Sequence, residues 1–144
     1  MMYTLPGTPI SLQRPRFSFK THHAYDVQSK ERKATIELLK RQCNHPPLQG
    51  PLALEATFFM PIPKSQPKCR PLHGLPNTSH KDLDNMIKWI LDCSNTILYK
   101  DDSQIYCISA QKIYDSEART EFTITEHNQC PKKEQSNQQL SLLR

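Results

Sequence analysis

A single α+β domain, with a small mixed sheet packed against two main helices, is the fold predicted by three stretches of this 144-residue sequence. PLALEATFFM, residues 51–60, alternates strictly and puts Leu52, Leu54, Ala56, Phe58 and Met60 on one face of a half-buried strand. DLDNMIKWILDCSNTIL, residues 82–98, places Leu83, Ile87, Ile90, Leu91, Ser94 and Leu98 on one arc at about 100° per residue, a core-facing helical stripe. QIYCISAQKIYD and ARTEFTITE follow as two further strands.

In chain order, residues 2–7 read as a short strand ended by Gly7. TPISLQRPRF, with two prolines and two arginines, is an extended or turning segment in which Arg14 and Arg16 project to one side. The spacing predicts a helix from Asp26, as N-cap, to about Cys43, and CNHPPLQGP then breaks the chain before the strand at 52–60. Residues 61–79 hold five prolines among Lys64, Lys68 and Arg70, which predicts a long extended loop. After the 82–98 helix, QIYCISAQKIYD is apolar enough on both faces to be central. ARTEFTITE turns Ala118, Thr120, Phe122 and Ile124 inward, and the two strands are expected to form a hairpin around DSEA. The domain is expected to end near residue 126, and residues 127–144, rich in Gln, Asn and Lys, read as a disordered polar tail.

Several classes are disfavoured. No run of eighteen apolar residues exists, and Pro6, Pro9 and Pro15 interrupt any secretion signal, so a cytoplasmic protein with no membrane partner is expected. Cys43, Cys69, Cys93, Cys107 and Cys130 are odd in number and lack C-x-x-C spacing; Cys93 and Cys107, within apolar runs, read as reduced core thiols. Cys69, His73 and His80 fit no standard zinc pattern. A calcium loop fails at Met86, and three glycines give no phosphate-binding loop.

Charge is the informative contrast. Nineteen Lys and Arg against fourteen acids give a net +5, which suits a polyanionic partner, yet residues 80–102 gather five aspartates. Asp82 and Asp84 open a helix, where acids are also favoured for capping and by the helix dipole. Asp101 and Asp102 come after a helix about 24 Å long, so only tertiary folding brings them near the first pair. Three converging carboxylates would repel by about 4 kcal/mol per pair at 4 Å and a dielectric of 20, and oxygen ligands alone suit Mg²⁺ or Mn²⁺.

DLDNMIKWILD followed by LYKDDSQI resembles the RusA family of Holliday junction resolvases, whose members carry D-[IL]-D-N-x-x-K-x-x-x-D and then DD-x-Q. GTPISLQRPRF resembles that family's G-x-P-x-x-K-x-R-P-R segment, with Leu12 where the lysine stands, and the similarity spans roughly residues 5–126. The resemblance implies a Mg²⁺-dependent endonuclease, with Mn²⁺ as a substitute, that cuts four-way DNA junctions in recombination and repair as a homodimer. It implies Asp82, Asp84 and Asp102 as metal ligands and Lys88 as the catalytic lysine, while Asp101 matches the first acid of the later pair. Arg14, Arg16, Lys64, Lys68, Arg70 and Lys81 are the expected contacts to branched DNA. Lys88 also fits a helical ion pair with Asp84 or Asp92, and a junction-binding protein without nuclease activity, or a nuclease for other branched DNA, remain alternatives.

Overall fold

The computed structural model describes residues 1–67 and 71–127. In chain order the elements are β1 (Met2–Pro6), β2 (Arg16–Ser18), β3 (His23–Tyr25), α1 (Ser29–Gln42), β4 (Leu52–Pro61), α2 (Leu83–Ser94), β5 (Ile105–Asp115) and β6 (Arg119–Glu126). A one-turn 3-10 helix, Asp102–Gln104, precedes β5. The main sheet has the order β1-β6-β4-β5, with β5 parallel to β4 and the other neighbours antiparallel; β2 and β3 form a separate two-stranded hairpin. This is the small α+β domain with a mixed sheet and two helices that the sequence predicts. No helix among the described residues is long and apolar enough to cross a membrane.

The alternation of β4 sets the core. Leu52, Leu54, Ala56, Phe58 and Met60 are buried, beside Phe122 and Ile124 of β6 and Tyr3 of β1. Tyr3 stacks on Phe122 with ring centroids 5.2 Å apart. Leu39 of α1 and Met86, Trp89, Ile90 and Cys93 of α2 complete the cluster. Burial pushes the Cys93 thiol up to about 11, as befits an inert core cysteine.

Several expectations are corrected. β5 and β6 form no hairpin, because β4 lies between them and pairs with both. β5 is an edge strand rather than a central one, and its apolar Tyr106, Cys107 and Ile108 are exposed. Its far end is covered: Asn77 N–H donates to Lys112 O (2.9 Å), Tyr114 N–H to Leu75 O (2.9 Å) and Gly74 N–H to Tyr114 O (2.8 Å). The N-cap of α1 is Gln28 rather than Asp26, whose carboxylate accepts from Gln28 N–H and Arg32 Nε, each at 2.9 Å. Those two bonds, the backbone one first, hold Asp26 below the usual carboxylate range. α2 stops at Ser94 rather than Leu98, since Thr96 adopts a left-handed φ of 66° and turns the chain. Its fully buried ridge is Met86, Trp89, Ile90 and Cys93, rotated from the predicted arc, on which Leu83, Ile87 and Leu91 are only half buried. The hairpin of β2 and β3 was not expected from the extended reading of TPISLQRPRF.

The β5–β6 turn is held by Asp115, which accepts from Glu117 N–H (3.2 Å), Ser116 Oγ (3.1 Å) and Arg119 Nη1 (3.1 Å). The Glu117 amide, and after it the Arg119 and Ser116 donors, hold its pKa down at about 2 despite the opposing effect of desolvation. A lowered carboxylate pKa adds stability above its unfolded value of about 3.9, and that contribution is lost as pH falls through the folded value. Denaturant titrations from pH 7 to pH 2 are therefore expected to show Asp115→Asn less stable than wild type at neutral pH, the gap closing as pH approaches about 2. Phe58→Ala, emptying the centre of the core, is expected to cost about 3–5 kcal/mol by the same measurement.

Candidate functional site

The start of α2 is fixed from three directions. Buried Asn77 accepts from Ser79 N–H (2.9 Å) and Ser79 Oγ (2.6 Å), shaping the approach to the helix. Lys112 of β5 donates its ammonium to Ser79 O (2.8 Å) and Lys81 O (2.5 Å). Lys81 Nζ donates to Pro9 O (2.9 Å) and Leu12 N–H to Asn85 O (3.0 Å), tying the N-terminal segment across the first turn. Lys81 is thus engaged on backbone, and Leu12, at the position of the family lysine, contributes its amide.

Asp82 then has extended backbone (φ −72°, ψ 130°) as the N-cap of α2, yet its side chain makes no capping hydrogen bond. Capping therefore does not account for its carboxylate, whose contact is Asn85 Nδ2 at 3.5 Å. Asp84 lies in the first turn, and Lys88 Nζ stands 3.4 Å from its Oδ2. Both side chains are more than half exposed, so this i, i+4 pair is worth only about 0.3–0.5 kcal/mol. Lys88 is free to turn toward a stronger anion.

Asp82, Asp84, Asn85 and Lys88 line one open cleft of about 590 Å³, whose other walls are residues 12–15, with Arg14, and Asp26, Arg32 and Asp92. Arg32 organises that second group. Its Nε is 2.9 Å from Asp26, its Nη1 3.7 Å from Asp92, and its guanidinium lies 5.1 Å from the centre of the Trp89 ring. Burial works to lower the Arg32 pKa, but the Asp26 hydrogen bond and charge outweigh it and hold the group firmly cationic. Of the four carboxylates in the cleft, two are therefore matched by Arg32, leaving Asp82 and Asp84 beside Lys88.

Asp102 is not among the residues lining this cleft. It begins the 3-10 helix near the C-terminal end of α2, where the Tyr99 hydroxyl donates to Leu91 O (2.9 Å). Burial first, and the Asp102 charge second, push the Tyr99 phenol up. Among the described residues, no group of three or more His, Cys, Asp or Glu side chains is placed to hold one metal ion. Asp101 is structural: its Oδ1 accepts from Ser103 N–H (2.8 Å), and its own N–H donates to Gln104 Oε1 (3.0 Å). The Ser103 hydrogen bonds hold Asp101 below the usual carboxylate range. Gln104 Nε2 in turn donates to Leu48 O (3.1 Å) and Gly50 O (3.0 Å), so Asp101 shapes this turn from within and Gln104 stitches it to the segment before β4.

Arg16 lies exposed in β2 and Lys64 in the turn after β4, neither lining the cleft; Lys68 and Arg70 lie outside the described residues, as does the tail beyond His127. Sequence reasoning missed Arg32 and Lys112. Lys112 is expected to matter for stability, because its loss strands two carbonyls. Lys112→Met should cost about 1–3 kcal/mol in chemical unfolding, with Lys112→Arg recovering part of the loss.

The two carboxylates suit a hard divalent cation, since Mg²⁺ commonly takes one or two protein carboxylates and completes its shell with water and substrate phosphate. Comparison with known proteins identifies the family. The family model for Endodeoxyribonuclease RusA matches residues 6–125. The chain is 33% identical over 136 residues, 86% of its length and 94% of the relative's, to the uncharacterized protein YqaN of Bacillus subtilis (strain 168). It is 39% identical over 77 residues, 53% of its length and 55% of the relative's, to the crossover junction endodeoxyribonuclease rusA of Lactococcus phage r1t. With its family match covering most of the chain, this protein belongs to the RusA endodeoxyribonuclease family.

Proposed function

We propose that this protein is a divalent-cation-dependent endodeoxyribonuclease that resolves four-way DNA junctions by paired phosphodiester cleavage, in recombination and repair in the cytoplasm. The observation that carries the reading is the cleft in which Asp82 and Asp84 stand together beside Lys88 while Arg32 matches the remaining acids. Asp82 and Asp84 would hold Mg²⁺, or Mn²⁺ in its place. Such a cation lowers the pKa of an attacking water and offsets charge on the leaving oxygen. Lys88, weakly held by Asp84, supplies positive charge to the phosphate in the transition state, and Arg14 in the opposite wall holds the strand by its backbone. Arg16 and Lys64 extend the phosphate contacts beyond the cleft, and Lys68 and Arg70, outside the described residues, are proposed as further phosphate contacts. Lys81, with its ammonium on Pro9 O, serves the site mainly by fixing the segment before Asp82.

We further propose a homodimer, which matches the two equivalent cuts a four-way junction requires. The edge of β5 over residues 105–111 supports it: the stretch carries no charge, exposes Tyr106 and Ile108, and has no strand on its outer side among the described residues. Pairing of this edge with its copy about a two-fold axis perpendicular to the strands would be antiparallel, carrying the Asp102 end of each β5 toward the Lys112 end of the other. That is the end at which Lys112 holds the start of α2, so Asp102 is proposed as a carboxylate shared across the dyad.

Wild type is expected to cut a synthetic four-way junction in Mg²⁺, and Asp82→Asn, Asp84→Asn and Asp102→Asn each to lose at least about 100-fold in rate. Co-expressed Asp82→Asn and Asp102→Asn chains should regain nicking of one strand, because one of the two shared sites is then intact. Equal cutting by wild type and Asp82→Asn would remove the site assignment. Junction binding without cleavage across Mg²⁺ and Mn²⁺ concentrations would favour a binding protein, and faster cleavage of flaps in a substrate panel would favour another branched substrate.

A further inference from the structure

We infer that the β2–β3 hairpin is a stacking platform for nucleobases left unstacked at a DNA branch point, a role that rests on the nuclease reading for its location beside the cleft. Three aromatic rings on this small hairpin are held out of the core. Phe17 is 53% exposed, Phe19 85% and Tyr25 49%. Phe17 and Phe19 meet edge to face with centroids 5.5 Å apart and form the platform, whereas Tyr25 stands opposite Arg16 on the other face of the two-stranded ribbon. Local bonding places Phe19 and Lys20 in the connecting turn. His22 N–H donates to Ser18 O (2.9 Å), Thr21 N–H reaches Ser18 Oγ (3.4 Å), and His22 takes a left-handed φ of 54°.

The surrounding charge selects the occupant. Residues 8–25 contain no carboxylate and carry Arg14, Arg16 and Lys20, with His22 and His23. The hairpin grows directly out of residues 13–15, which wall the cleft holding Asp82, Asp84 and Lys88. A strand whose phosphates lie along that wall therefore presents its next nucleotides to the aromatic rings. In an uninterrupted duplex the base faces are already stacked and closed to such rings; at a branch point they are open. Base–aromatic stacking is tolerant of sequence and works beside a cationic groove that follows the backbone. Aromatic rings interleaved with cations would also suit an anionic lipid surface, but continuity with the cleft favours nucleic acid.

The test separates stacking from charge and from cleavage. The full chain, in chelator without divalent cation, is titrated with a four-way junction carrying 2-aminopurine at the branch, with a duplex of the same arm sequence, and with phosphatidylserine vesicles. Wild type is expected to quench the 2-aminopurine. Phe17→Ala/Phe19→Ala should leave it bright and bind the junction about 5- to 100-fold more weakly, with duplex affinity and thermal stability kept. Arg14→Ala/Arg16→Ala should weaken both DNAs and lower the salt dependence by up to about two phosphate contacts. Unchanged junction affinity in the aromatic variant, an equal loss on duplex, or aromatic-dependent binding confined to vesicles would each overturn the inference. Absence of cleavage by wild type in Mg²⁺, with branch-specific quenching retained, would overturn the nuclease reading and leave the platform standing.

Discussion

The parallel pairing of β4 with β5, running from Leu52 beside Ile105 to Pro61 beside Asp115, dictates where everything else can lie. Parallel neighbours cannot be joined by a tight turn, so the chain leaving Pro61 must travel back along the sheet before β5 begins. α2 makes that return. Its start therefore lies at the Asp115 end of β5 and its finish at the Ile105 end, and one side-chain clamp marks each: Lys112 on the carbonyls of Ser79 and Lys81, Gln104 on those of Leu48 and Gly50. Asp82 and Asp102 are consequently held at opposite ends of a twelve-residue helix about 18 Å long. Their separation within one chain is a property of the topology.

The same crossover explains the exposed apolar side chains of β5. Among the described residues β4 is the strand beside β5, leaving its outer side as an edge, and the segment at residues 74–77 covers just the last part of it. Over residues 105–111 this edge carries no charge, exposes Tyr106 and Ile108, and lacks the lysines and prolines with which monomeric proteins usually blunt such edges.

How much of this was legible depended on whether the signal was local. The β4 alternation survives intact because every second side chain enters one core. The acidic pair at the start of α2 was readable as well, since a DLD sequence before an apolar stripe fixes both the helix boundary and the neighbours of Asp82. The β5–β6 hairpin was misread because sequence neighbours usually pair, and no local feature of DSEA reveals that β4 occupies the space between them. β5 appeared central because residues made apolar for an edge surface look the same as residues buried on two faces. The ridge of α2 was misplaced by part of a turn, since Met86, Trp89 and Cys93 compete with Leu83, Ile87 and Leu91 and only packing decides between them. Lys112 and Arg32 were invisible for a different reason: each acts on groups distant in the chain, Lys112 on carbonyls 31 and 33 residues away and Arg32 on Asp92.

Arg32 also resolves the opposition between a basic chain and an acidic cleft. Four carboxylates in one cleft would repel both each other and a phosphate backbone, yet Asp26 and Asp92 are matched by a guanidinium wedged against Trp89. The acids that Arg32 does not match are thereby narrowed to Asp82 and Asp84, the latter beside Lys88, in the cleft that Arg14 also lines. At about 0.15 M salt, fields from exposed charges fade over about 8 Å, so the cations of the hairpin and the acid pair each act mainly on the part of a polyanion closest to them. On the proposed reading, capture and chemistry would fall to different residues on different elements: capture to Arg14, Arg16 and the exposed aromatic rings, chemistry to the first turn of α2. The parallel crossover joins the two by pinning that turn, through Leu12 N–H on Asn85 O, against the same segment that leads into the hairpin.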